Sequence, residues 1–444
     1  MRYSRREFLR TSLVLGVGLS IGLTGCSDDG SAPTDAKFAV LSDPHVYDKS
    51  LGTSGAAFDS YLADDRKMLV QSSEIMDAMI DGIIEEDVNF VLISGDLTKD
   101  GEKACHELMA SKLAAFTNAG IQVYVIPGNH DINNPHAVSF SGATTTAVDQ
   151  VTPADFMSIY SDFGYGTYLA KDPNSLSYIA EPVDGVWLFA IDSCKYDNNV
   201  VDPDTSGAIG ADTLSWLLGK MSEAKQKGKK MIGMMHHGII PHFAAQTTFF
   251  PEYVVDDHAN VGESLSGAGL KIMFTGHFHA QDIVMNTFTN GLMYDVETGS
   301  GVTAPCPYRI IDLHIPSEKY EIKSYEIHEI PSEADFDTFK ENFVETGMLN
   351  LYTTLLAEPA YGGFTDPLLS AIAGAGAEIH VAHYKGDEPG YTNMSAATQN
   401  TINNILLGSG VQALIDLGGA LVDFAKDDFS SANPVADNNV NLNL

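Results

Sequence analysis

Five short polar blocks hold the residues that could do chemistry: Asp43-Pro44-His45, Gly95-Asp96, Gly128-Asn129-His130-Asp131, His236-His237 and Gly276-His277-Phe278-His279. Imidazole and carboxylate donors of this kind suit zinc, iron or manganese, and no cysteine falls in the set, which argues against a structural thiolate site. The donors suffice for two ions. Two cations about 3.5–4 Å apart can hold a hydroxide between them and clamp both oxygens of an in-line phosphoryl displacement. Asp96 is the best candidate for a bridge, because Gly95 before it lets the backbone come close to the metals. Any one block alone could be turn residues or a satisfied core histidine; the ordered set is what carries information.

Each block follows an apolar run that reads as a strand buried on both faces: Phe38-Ala39-Val40-Leu41, Phe90-Val91-Leu92-Ile93, Val123-Tyr124-Val125-Ile126, Met231-Ile232-Gly233-Met234-Met235 and Ile272-Met273-Phe274-Thr275. Helical patterns over 61–86 and 102–119 separate the first three. Strand, helix, strand, helix, strand is the mark of parallel βαβ units in an α/β chain, and the loops at the carboxyl ends of such strands gather in one crevice. The five blocks are therefore expected to converge.

In order and spacing the set resembles the calcineurin-like metallophosphoesterases, whose blocks read D-x-H, G-D, G-N-H-[DE], H and G-H-x-H. The resemblance covers residues 37–330 and implies a two-sheet β-sandwich flanked by helices. It implies a first metal held by Asp43, His45 and His279, a second by Asn129, His236 and His277, and Asp96 between them. It places His130 over the substrate phosphate rather than on a metal, with Asp131 orienting His130 or its neighbours. The implied activity is hydrolysis of phosphate mono- or diesters by attack of a metal-bridging hydroxide, with two Fe, Mn or Zn ions. Two positions depart from the pattern. Gly238 stands where a proline usually follows the histidine block, and of the adjacent pair His236 aligns with the metal-binding histidine. Lys99 stands where purple acid phosphatases carry a tyrosine, which argues against a tyrosinate-bound ferric ion. The alternative from another class is a catalytically silent, metal-containing surface lipoprotein that acts as a binding module; the retained His130 speaks against it.

The other histidines read as packing or surface residues: His106, His136, His258, His314 and His328. His242 is close enough to its block to line the cleft. On a helix His380 and His383 would share one face; on a strand, which the Ile379-x-Val381 alternation also allows, they would point to opposite faces; the favoured reading gives them no ligand role.

The N-terminus reads as an address. Ser4-Arg5-Arg6-Glu7-Phe8-Leu9-Arg10 resembles a twin-arginine signal, and an eleven-residue apolar stretch over 13–23 is too short to span a bilayer. Leu23-Thr24-Gly25-Cys26 resembles a bacterial lipobox. The expectation is a signal peptide over 1–25, a lipidated Cys26 facing outward on the cell membrane or in the periplasm, and a tether over 26–36.

The chain of 444 residues has 25 Lys and Arg against 59 Asp and Glu, a formal charge of −34. Loss of Arg2, Arg5, Arg6, Arg10 and Glu7 with the leader would take it to −37. Such a field disfavours polymeric nucleic acid and favours a small phosphate-ester substrate. Cys105, Cys194 and Cys306 give no disulfide framework. Residues 140–166, poor in strand signals, are expected to cap the active-site mouth, with 196–210 helping to set substrate choice. Past residue 330, Phe336, Phe339 and Phe343 open a helical C-terminal region or cover over 331–430, followed by a loose polar tail over 431–444.

Overall fold

The apolar runs become the centres of two facing sheets. In a computed structural model, residues 34–63, 65–359, 362–386, 388–425 and 436–444 are described. The leader, Cys26 and most of the tether lie outside them.

The first sheet runs in the spatial order Asn439–Asn443, Lys319–Glu326, Pro307–His314, Asp35–Leu41, Phe90–Ile93, Gln122–Val125. Its last three strands are parallel, with Phe38 opposite Phe90 and Phe90 opposite Gln122. The second runs Asp282–Thr287, Leu292–Glu297, Ile272–Thr275, Lys230–Met235, Val186–Ile191, Tyr178–Val183, Ala170–Lys171. Here Lys230–Met235 and Ile272–Thr275 are parallel neighbours. The hairpin at Asp184-Gly185 joins Tyr178–Val183 to Val186–Ile191, with Gly185 at φ 89.

The inner faces meet through aromatic contacts. Phe38 stacks on Phe90 at 4.7 Å and meets Phe274 of the other sheet edge-on at 5.5 Å. All three are fully buried, which explains why these strands read as continuous apolar runs rather than alternating ones. Helices Ser72–Glu85 and Lys103–Asn118 pack on the first sheet through Ile75, Met79, Ile83, Met109 and Leu113. Helices Ala211–Gln226 and His258–Gly267 cover the outer face of the second through Leu217, Met221, Val261 and Leu265. This is the expected α/β sandwich flanked by helices.

Beyond the sandwich lie helices Phe336–Ala357, Leu368–Lys385, Ala396–Asn400 and Gln412–Phe424, with a π-helical turn over Thr401–Leu407. They share a core with the sandwich, in which Phe243 and Phe278 pack with Ile372, Ile379 and Phe424. No described helix is long and apolar enough to cross a membrane.

Three expectations need correction. The pattern over 61–86 is two helices, Ala56–Ala63 and Ser72–Glu85, because Asp65 Oδ1 accepts the backbone N–H groups of Arg66 and Lys67 and turns the chain. The end of the chain is not loose throughout: Asn439–Asn443 pairs antiparallel with Lys319–Glu326, and Leu442 is buried. Residues 140–166 do not line the cleft. Their hairpin, Val138–Ser141 with Thr144–Ala147, carries Phe140 against Phe58 at 5.1 Å and Tyr61 at 5.6 Å.

Candidate metal centre

All five polar blocks emerge at carboxyl ends of parallel strands, so chain direction alone brings them to one edge of the sandwich. Backbone bonds then lock the loops together. The N–H groups of Asp43 and His45 donate to the carbonyls of Gly95 and Asp96 at 3.1 and 3.0 Å, and Gly276 N–H donates to His236 O at 3.0 Å. Asp43, His45, Asp96, His277 and His279 all have positive φ, between 35 and 75, a region that costs non-glycine residues energy and concentrates at functional sites.

Two groups of donors result. Asp43, His45 and His279 form one, and Asp96, His236 and His277 the other; within each, the donor atoms lie within 4.8 Å of one another. Asp96 faces both: Oδ2 is 3.6 Å from His45 Nε2, and Oδ1 is 3.6 Å from His236 Nε2. Asn129 Oδ1 is 3.0 Å from His236 Nε2. His45 and His279 turn their Nε2 atoms toward each other at 3.3 Å, and His279 Nε2 is 3.4 Å from Asp43 Oδ1. The structure thus brings all seven expected donors into one pocket.

The tautomers follow from carbonyl partners, which can only accept. His236 Nδ1–H donates to Ser94 O at 2.7 Å and His45 Nδ1–H to Thr98 O at 3.2 Å, so both present a bare Nε2 to the centre. His237 is spoken for: it donates from Nε2 to Thr205 O at 3.1 Å and meets Ser193 Oγ at Nδ1, 2.8 Å away. His236, not His237, therefore faces Asp96. Gly238 N–H donates to Tyr253 O at 3.0 Å, a bond that proline at this position could not make. Lys99 is committed to a buried ion pair with Asp100 and Glu102, the latter at 3.1 Å.

Glycine is required where the loops touch. A Cβ on Gly128 would sit 2.1 Å from Asp96 Oδ1, and one on Gly95 would sit 2.7 Å from His236 Nδ1.

The electrostatics suit cations. Burial pushes the Asp96 carboxyl well above its usual range, and the nearby Asp43 and Asp131 charges add to that. Asp43 is pulled the other way: against its burial, His279 and His236 hold it at about 2. Burial keeps His45 and His277 well below the normal imidazole range, hence neutral and able to ligate. Among the described residues, Asp43 Oδ1, His277 Nε2 and His279 Nδ1 are buried without a hydrogen-bond partner. Converging neutral imidazoles and carboxylates with unmet lone pairs fit a pair of divalent ions.

His130 stands over this centre with its side chain 21% exposed to the cleft, Nε2 lying 3.9 Å from Asp96 Oδ2. Its N–H is tied to Asp96 Oδ1 at 2.9 Å. The expected role of Asp131 holds only for its neighbours. It accepts from the N–H groups of Leu97, Thr98 and Gly128 and from Thr98 Oγ1, at 2.9–3.0 Å, and so clasps two ligand loops. The residue that grips the His130 ring is Asp100, whose Oδ1 accepts from Nδ1 at 2.8 Å. Burial would raise the Asp100 carboxyl, but Lys99 and His130 draw it below the usual carboxylate range. Asp100→Asn is expected to lower kcat roughly 10–100-fold, by analogy with carboxylates that orient metal-ligating histidines. Metal content should stay unchanged by elemental analysis, and unaltered kcat would remove Asp100 from the machinery.

The cleft above the centre has a volume of about 380 Å³ and is lined by Tyr61, Arg66, Lys67, Tyr253, Phe278 and Tyr384 among others. The cations Arg66 and Lys67 carry no signal in the sequence, where Asp65-Arg66-Lys67 looks like a solvated helix face. Of the 196–210 segment, only Thr205 reaches the lining. His242 does not line the cleft; it is buried beside Asp282, 3.0 Å away. His106 is a core residue held by Tyr160 Oη and Asp131 O.

The calcineurin-like phosphoesterase family model matches residues 36–281, more than half of the chain. The chain belongs to the calcineurin-like phosphoesterases. Among curated protein sequences nothing matches. Solved structures that resemble this phosphoesterase include a dimetal phosphatase from Danio rerio, at 14% identity and TM-score 0.46 over 66% of this chain and 96% of that one. A purple acid phosphatase from yellow lupin (Lupinus luteus) is 13% identical with TM-score 0.41, over 67% of this chain and 52% of that one. Neither likeness is close enough to carry an argument about substrate.

Proposed function

We propose that this phosphoesterase hydrolyses small phosphate esters at a two-metal centre, and that it does so outside the cytoplasm while anchored by lipid. The observation that carries the catalytic reading is Asp96, with one oxygen toward each donor group and His130 above it. Asp43, His45 and His279 would hold one ion, Asn129, His236 and His277 the other, and Asp96 both. Bound ions supply Lewis acidity, neutralising phosphate charge and activating water.

The remaining work falls to the chain. Arg66 and Lys67 at the cleft wall offer cationic donors to phosphate oxygens. His130 delivers a proton from Nε2 to the departing ester oxygen, while Asp100 at Nδ1 holds the ring in place. The acidic surface and the modest cleft favour a small ester over a nucleic-acid polymer. The test is a screen with p-nitrophenyl phosphate and bis-p-nitrophenyl phosphate. Metal-loaded protein should turn over at least one, the preferred ester naming the class, and a chelator should stop it. Inactivity of loaded, folded protein on both and on a wider ester panel would favour the silent binding module.

Export and anchoring are supported by Ser4-Arg5-Arg6-Glu7-Phe8-Leu9-Arg10 and by Leu23-Thr24-Gly25-Cys26. Cys26→Ser is expected to move the protein from the membrane to the soluble fraction of a bacterial host; unchanged fractionation would contradict the anchor.

A further inference from the structure

We infer that Asp282, His383 and Glu388 form a third, structural metal site, outside the two-ion centre, which fastens the C-terminal helices to the active-site loop. Their donor atoms lie within 4.8 Å of one another. His383 Nδ1 is 2.5 Å from Glu388 Oε1 and 3.9 Å from Asp282 Oδ2. The three side chains are only 1–3% exposed. An ion about 2.1 Å from each donor needs donors roughly 3–4 Å apart, which small rotamer adjustments of this trio provide. One imidazole and two carboxylates suit a divalent transition ion such as zinc.

The surroundings point the same way. His242 Nδ1 lies 3.0 Å from Asp282 Oδ2, and its Nε2 lies 3.5 Å from Glu297 Oε2 and 3.8 Å from Asp295 Oδ2. Yet neither His242 nitrogen makes an aligned hydrogen bond among the described residues. Asp282, Asp295, Glu297 and Glu388 are buried carboxylates around His242 and His383, and Asp282 Oδ1 has no hydrogen-bond partner among the described residues. The site joins two distant parts of the chain. Asp282 opens the strand three residues after His279, His383 ends helix Leu368–Lys385, and Glu388 follows that helix. The Gln281 N–H donates to Tyr384 O at 3.3 Å beside it, so the ion would brace the loop that carries His277 and His279. His380, one turn earlier, takes no part; it stacks on Phe278 at 5.2 Å.

Counting zinc per chain tests the site. Full-length protein is loaded with zinc, freed of excess, and analysed as wild type, His383→Ala and the active-site pair Asp96→Asn/His236→Ala. His383→Ala should carry one ion fewer than wild type whatever the two-ion centre holds, and adding His383→Ala to the active-site pair should likewise remove one ion. Equal zinc in wild type and His383→Ala would overturn the site and leave a hydrogen-bonded cluster of histidines and carboxylates in its place. Should His383→Ala fail to fold, zinc-edge anomalous diffraction from wild-type crystals decides: a peak among Asp282, His383 and Glu388 supports the site, and no peak there overturns it.

Discussion

Asp96→Asn is expected to cut turnover roughly 10³–10⁴-fold, the equivalent of losing about 4–6 kcal/mol of charge stabilisation. Asn keeps an oxygen to accept the His130 N–H, so the fold should survive. What goes is the carboxylate that turns one oxygen toward each donor group. Stability should move the other way in metal-free protein. Burial, with Asp43 and Asp131 nearby, raises the Asp96 carboxyl in the folded state, so ionising it costs stability. A carboxyl raised by folding leaves the native state most stable at low pH and weakens it as pH climbs past the ordinary carboxylate range. Metal-free Asp96→Asn should therefore melt at or above the metal-free wild-type temperature at neutral pH, while the metal-loaded comparison reverses. A metal-loaded Asp96→Asn with wild-type kcat would remove Asp96 from the centre.

His130→Ala is expected to lower kcat about 10²–10⁴-fold, the usual contribution of a positioned acid or base. Both ions should remain, because His130 Nδ1 is committed to Asp100 and its Nε2 stands 3.9 Å from Asp96. The loss should shrink for esters with good leaving groups, which need less protonation as they depart. An equal loss for p-nitrophenyl and alkyl esters would argue that His130 stabilises phosphate charge rather than donating a proton.

The centre was legible in the sequence because each ligand pair sits in one contiguous block at the end of an apolar run. Chain direction in parallel strands then does the gathering. What escaped notice came from residues whose neighbours in sequence say nothing. Asp100 lies only four residues after Asp96, but its role depends on the His130 ring, thirty positions away. Arg66 and Lys67 reach the cleft only because Asp65 breaks a helix that periodicity would have continued. The final strand, Asn439–Asn443, was invisible because its backbone pairs while it offers just Val440 and Leu442, among three asparagines, to the core. His383 reads in sequence as a non-ligand because its partner carboxylates come from a strand a hundred residues upstream and from the segment after its own helix.

The central claim is that Asp43, His45, Asp96, Asn129, His236, His277 and His279 grip two cations in one pocket. Anomalous diffraction from crystals of metal-loaded protein tests it most directly. The account expects two peaks in that pocket, one beside Asp43, His45 and His279, the other beside Asn129, His236 and His277, with Asp96 reaching both. A single peak, or none, among these seven side chains would contradict it.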